Sequence, residues 1–309
     1  MKSLQEIAHN ILVGNLNVQS DESLVILTDI HKQDIAQIFF EAGLEITNNT
    51  MLYVMPLLQK SGQEPIKAVS SMMANVDSTL CITSHSLTHT MARKKACENG
   101  GRVATMPGVT LSMLEKGALH ADTKEIEVMV EEFVNLLDGA KEVRIVKDGH
   151  ELTFCVENRQ GIRSTGSVKS PGDYGNIPSG EAYIAPIETS ANGEILIDGS
   201  IANIGVLKEP LLLKIQNGRL EEAIGSDGER LLELLGDGNG RIIAEFGIGA
   251  NKSAILCGNV LEDEKVYGTI HIAFGSNVPF GGTNAADVHI DCVVKKPDVY
   301  FDGEKLDYV

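Results

Sequence analysis

The stretch 22-ESLVILTDIHKQDIAQIFFEAGLEITNNTMLYVMP-56 decides the fold of the first third of the chain. ESLVILTD (22–29) is a short apolar run of strand type, and HKQDIAQIFFEAGLE (31–45) has apolar residues at helical spacing. TMLYVMP (50–56) returns to strand character. The rhythm continues outward, with EPIKAVSSMMANVD (64–77) as helix and STLCITS (78–84) as strand. SLTHTMARKKACENGG (86–101) follows as a helix ending in a glycine pair, and RVATMPG (102–108) as a fourth strand. Strand–helix alternation with short links predicts a parallel sheet covered on both faces. No GxGxxG follows the first strand, so the dinucleotide fingerprint is missing.

Beyond this α/β segment the texture changes. DTKEIEVMVEEFVNLLDGAKE is strongly periodic and closes at Gly139, so 111–140 reads as a helical connector. From 141 onward the chain is β-rich. EVRIVKDGHELTFCVE places a KDG turn between alternating strands, a hairpin signal. GEILIDGSI, PLLLKIQNGRL and KPDVYFDGEKL repeat the style, and Asp-Gly or Asn-Gly steps recur at 148, 192, 198, 217, 227, 237 and 302. SDGERLLELLGDG (226–238) is the one clear helix there. The expected architecture is an α/β N-terminal domain with a parallel sheet (1–110), the connector (111–140), and a β-rich α+β C-terminal domain (141–309) that carries the metal-binding residues below.

Composition narrows the function classes. The 309 residues are 43% hydrophobic and 22% charged, the balance of a core-forming protein. A net charge of −17 argues against nucleic acid or an anionic membrane as partner, since both reward a basic face. Cys81, Cys97, Cys155, Cys257 and Cys292 are scattered, without a CxxC, as for free thiols in a reducing compartment. MKSLQEIAHNILVGNL reads as an amphipathic helix and not a signal peptide, and the expected location is cytoplasmic.

The chemistry concentrates near the C-terminus. In VHIDCVV (288–294), strand alternation puts His289 and Asp291 on one face. YGTIHIAFG (267–275) is likewise strand-like and carries His271. Two histidines and a carboxylate suit Zn, Fe(II) or a similar divalent ion. Each of these residues taken alone fits equally well a local hydrogen-bonding role. Glu245 lies inside the apolar run of GRIIAEFGIGAN, where a carboxylate is expensive to bury unless paired. Glu181 follows the Pro-Ser-Gly turn of NIPSGEAYIAP and reads equally as surface or site.

The ordered blocks SGEAYIAP, GDGNGRIIAEFGIGANKSA, GNVLEDEKVYGTIHIAFGS and VHIDCVVKKPDVYFDGEKL resemble the aminopeptidase T (thermophilic aminopeptidase) family of metallo-exopeptidases. The resemblance implies divalent metal ions, one or two per chain (Zn, Co or Mn), held by Glu181, Glu245, His271, His289 and Asp291. It implies a hydrolase that releases N-terminal residues from small peptides, with Glu181 and His89 as catalytic candidates, and a homodimer or other homo-oligomer. Those peptidases carry a tyrosine where this chain has Val278. SLTHTMARKKACENGGRVATMPGVT is similar to a second branch of the superfamily, which includes 2,5-dihydroxypyridine 5,6-dioxygenase. That branch implies one Fe(II) on His271, His289 and Asp291, a hydroxylated aromatic or pyridine ring as substrate, and His89 as base. A third reading is a non-catalytic metal-binding protein.

Overall fold

The computed structural model describes residues 3–308. It divides into two compact units, the chain up to Lys124 with Thr165–Ser179, and Glu125–Ser164 with Gly180 onward.

In the first unit β1 (Leu24–Asp29), β2 (Thr50–Met55), β3 (Ser78–Ile82) and β4 (Arg102–Thr105) lie parallel in the order β2–β1–β3–β4. The connecting helices are α2 (Gln33–Leu44), α3 (Lys67–Met73) and α4 (Met91–Glu98), after α1 (Leu4–Gly14). Every residue of β1 and β3 is buried, as a sheet covered on both faces requires. Val25 and Leu27 join Val69, Met73, Ala92 and Ala96 in one apolar cluster, while Leu24 faces Gly43 of α2. α1 opens with a capping box, in which Ser3 Oγ accepts from the Glu6 N–H at 3.1 Å and Glu6 accepts from the Ser3 N–H at 2.6 Å.

Three details depart from the sequence reading. The helix expected over 86–101 begins at Met91, because Thr90 takes the N-cap and accepts from the Arg93 N–H at 3.2 Å. A fifth parallel strand, Tyr174–Asn176, adds to β4, so the chain returns to the first unit over Thr165–Ser179 and the boundary is not a single one. The connector breaks into Leu111–Glu115, a 3₁₀ turn at Ala118–His120 and the helix Thr123–Gly139, which lies almost wholly in the second unit. Gly117, at φ +108°, takes the break in a backbone region that glycine enters freely.

The second unit holds two antiparallel sheets of seven strands each. Three hairpins in the first of these turn at Asp148-Gly149, Asn217-Gly218 and Asp302-Gly303, each pair at positive φ as tight hairpins demand. The second sheet contains β5 (Glu181–Ile184), β6 (Ile243–Gly249), β7 (Thr269–Gly275) and β8 (His289–Lys295), side by side as β8–β7–β6–β5. Phe246 packs on Phe154 and Phe301 of the first sheet, with ring centroids 5.4 and 6.3 Å away. The inner face is therefore apolar, with Ile248, Ile270, Ile272, Phe274, Ile290, Cys292 and Val294 in register beside Phe246. No helix among the described residues is long and apolar enough to cross a membrane. All five cysteines are free thiols.

Candidate metal centre

The outer face of the same sheet carries the chemistry. His271 pairs with Gly247 and Val293, Ala273 with Glu245 and Asp291, Gly275 with His289, and Glu181 with Gly249. Side chains alternate along each strand, so this register sets Glu181, Glu245, His271, His289 and Asp291 on one face. A bulge lies just before Glu245. Ile243 pairs with Phe274 and Glu245 with Ala273, so Ala244 is the extra residue. The extra residue lets Ile243 face the apolar side although Glu245, two residues on, faces the outer side.

Glycine makes room for the first histidine. A Cβ on Gly247 would lie 2.1 Å from Cε1 and 2.2 Å from Nε2 of His271. The imidazole thus lies directly over the Gly247 backbone, and no side chain fits opposite it.

The five side chains converge closely. His271 Nε2 lies 3.0 Å from Glu245 Oε1 and 3.7 Å from Glu181 Oε2. His289 Nε2 lies 3.5 Å from Glu245 Oε2 and 3.3 Å from Asp291 Oδ1. The other nitrogen of His289 donates to the Ser276 carbonyl at 2.9 Å, which fixes the ring and directs Nε2 into the cluster. That carbonyl belongs to a braced loop. Glu188 accepts from Asn277 Nδ2 at 3.0 Å, from the Thr283 N–H at 2.6 Å and from Arg159 at 2.7 Å. Phe280 of the loop sets its ring edge-on to both His289 and Tyr183, with centroids 5.7 and 5.5 Å apart.

Two residues that the sequence reading passed over complete the cluster. Lys265, about 1% exposed, donates to Glu181 Oε1 at 2.6 Å and to Glu264. Both sit in LEDEKVYG, a run whose charges look solvated in sequence. A buried ammonium at the N-terminal side of the HIAFG strand has no periodic signal to betray it.

Electrostatics ties these groups together. Burial alone would lower both imidazoles. Instead the Glu245 hydrogen bond and the charges of Glu181, Glu245 and Glu264 push His271 up to about 9. Asp291 and Glu245 likewise push His289 up to about 10 against its burial. Asp291 is held down at about 2 against its burial, chiefly by the charge and hydrogen bond of His289. Burial, with Glu181 and Asp291 nearby, pushes Glu264 up to about 8 although Lys265 opposes. Lys265 stays above the ordinary lysine range, because Glu181 and Glu264 outweigh its burial.

The donor set fits a divalent ion. Two groups each bring three ligand atoms within 4.8 Å of one another, Glu245 with His271 and Asp291, and Glu181 with Glu264 and His271. Glu181 Oε2 is buried and has no hydrogen-bond partner in the structure, as expected of a carboxylate oxygen placed for a cation. Imidazole and carboxylate together select a first-row divalent metal. His89 is exposed in the loop between β3 and α4 of the first unit and, like His289, is in neither ligand group.

A parallel-sheet unit joined to an antiparallel unit, with His, Asp and Glu on one sheet face, carries a candidate divalent-metal centre. The family model described as 2,5-dihydroxypyridine 5,6-dioxygenase (NicX) matches residues 10–307, and the chain belongs to that family. The structure is similar to 2,5-dihydroxypyridine dioxygenase from Pseudomonas putida KT2440, with a TM-score of 0.82 at 17% identity over 99% of this chain and 96% of that one. It is also similar to the aminopeptidase AmpT from Thermus thermophilus, with a TM-score of 0.66 at 17% identity over 98% and 96% of the two chains. None of the proteins with curated descriptions matches the sequence.

Proposed function

We propose that this protein is a metal-dependent dioxygenase that opens a hydroxylated nitrogen-containing ring of the 2,5-dihydroxypyridine type. The supporting observation is the set His271, His289 and Asp291 on one sheet face, in a chain whose family is described by that reaction. His271, His289 and Asp291 would hold an iron(II) ion, which would supply the redox chemistry for O2. The sequence reading put the aminopeptidase first; the family's description supports placing the dioxygenase ahead of it.

The chain's own residues have separable tasks in this reading. Ser276 orients His289 through the Nδ1 hydrogen bond. Glu245, 3.0 Å from His271 Nε2 and 3.5 Å from His289 Nε2, places a negative charge between the two rings. Phe280 offers a ring edge beside His289, against which a flat substrate packs favourably. Glu181 Oε2 is an acceptor for a ring hydroxyl proton. The aminopeptidase reading retains one observation in its favour, namely that Glu181 and Glu245 share the face of the histidines as a dinuclear hydrolase would need.

An oxygen electrode and an ultraviolet spectrum separate the two. The dioxygenase reading expects the iron(II)-loaded protein to consume O2 in step with loss of the ring absorbance of 2,5-dihydroxypyridine. Release of the N-terminal residue from dipeptides by the zinc- or cobalt-loaded protein, without O2 uptake on any hydroxypyridine, would reverse the assignment.

A further inference from the structure

Lys265 is the group that the proposed chemistry leaves unexplained. It is a fully buried ammonium on the ligand face, bonded to Glu181 and Glu264 together. Burying an ammonium is expensive unless opposite charge surrounds it, so the position demands a positive charge. Glu181 and Glu264 also form, with His271, one of the two groups able to hold a metal ion.

Those two groups cannot both be filled with the same ligand. His271 belongs to each, and its Nε2 stands 3.0 Å from Glu245 and 3.7 Å from Glu181. A neutral imidazole nitrogen offers one lone pair, so it binds one ion. Among the described residues Glu245 and Asp291 form no ion pair with an ammonium, and His289 Nε2 lies within 3.5 Å of both. The ion therefore belongs on that side, and the carboxylates on the other side already have their cation.

We propose that the Lys265 ammonium stands in for a second metal ion, making this a one-metal centre built from ligands that would otherwise hold two. The argument rests on the metal-site reading of the outer sheet face and extends it to Glu181 and Glu264. A second divalent ion on Glu181 and Glu264 would have to sit against the Lys265 ammonium that those carboxylates already hold.

The test is metal stoichiometry, by equilibrium dialysis of the metal-stripped full chain against cobalt(II) followed by elemental analysis. The wild type is expected to saturate at one ion per chain, and Lys265→Ser, which removes the charge and leaves room, at two. Lys265→Gln keeps a hydrogen-bond donor without the charge and is likewise expected to take a second ion, which covers the case in which the serine variant does not fold. Wild-type protein saturating at two ions overturns the proposal, and so does a folded Lys265→Gln that stops at one. Wild-type protein that takes up no ion removes the metal-site reading itself, a different failure from either.

Discussion

The contact between Gly247 and His271 gives the sharpest structural prediction. An alanine at 247 would place a methyl carbon 2.1 Å from His271 Cε1. Ordinary van der Waals contact begins near 3.4 Å, so the ring must move by about 1.3 Å or the strands must part. Overpacking of this kind costs roughly 1–3 kcal/mol of stability. The larger effect falls on the metal. Displacing an inner ligand of a centre by about 1 Å is expected to weaken binding on the order of 100-fold, the upper range for lost ligand orientation. A 100-fold change in Kd at saturating metal removes about 2.7 kcal/mol of the stabilisation that the ion confers. Thermal melts of Gly247→Ala with and without cobalt(II) read both quantities, the metal-free shift giving the packing cost and the metal-induced shift the affinity. Gly139→Ala, with nothing within 4 Å of the added carbon, is the control and should change neither. A Gly247→Ala protein with the full wild-type metal-induced shift would refute the placement of His271 over the Gly247 backbone.

Other expectations follow from the same geometry. With His271 at about 9 and His289 at about 10 in the metal-free protein, both are protonated at pH 7, so binding one ion should release two protons. Metal affinity should then rise about 100-fold per pH unit up to about pH 9, and calorimetry in buffers of different ionisation enthalpy counts the protons. His289 is 31% exposed on its side chain, so solvent screens part of its shift and the His271 step is the firmer one. In the metal-free protein these raised values stabilise the fold below the ordinary histidine range, and that stability is lost as pH rises through about 9 to 10. Asp291, held at about 2, contributes in the opposite sense, its stabilisation being lost as pH falls through that value. Glu188→Ala should free the 276–284 loop and with it the Ser276 carbonyl behind His289, weakening metal binding about 10-fold while circular dichroism stays unchanged. Phe280→Ala should raise KM for a ring substrate up to about tenfold with little change in kcat, since an aromatic pair contributes about 0.5–1.5 kcal/mol.

Much of the site was legible because strand alternation has a period of two. His289 and Asp291, two apart in VHIDCVV, had to share a face, and HIAFG had to pair nearby to bring His271 to it. Glu245 stood out for a different reason, as a carboxylate in the apolar run IIAEFGIG. The bulge at Ala244 was not legible, since it puts Ile243 and Glu245 on opposite faces and local sequence does not announce it. Glu264 and Lys265 were missed because adjacent charges in EDEK look solvated, and only tertiary packing buries the lysine to about 1% exposure. In the first unit the βα alternation was plain, but the strand Tyr174–Asn176 was not. Three residues, one of them glycine, carry no strand signal, and their pairing with β4 joins segments about 70 residues apart. The Asp-Gly and Asn-Gly steps at 148, 217 and 302 announced hairpins because both turn residues must adopt positive φ.

The central claim is that His271, His289 and Asp291 hold the metal on the outer sheet face. The most direct test is elemental analysis of protein purified anaerobically without a metal-affinity tag, beside His289→Ala and Asp291→Ala prepared identically. The account predicts close to one iron per chain in the wild type, lost from both variants while their circular dichroism stays native. Iron retained at the wild-type level by His289→Ala and Asp291→Ala would contradict it.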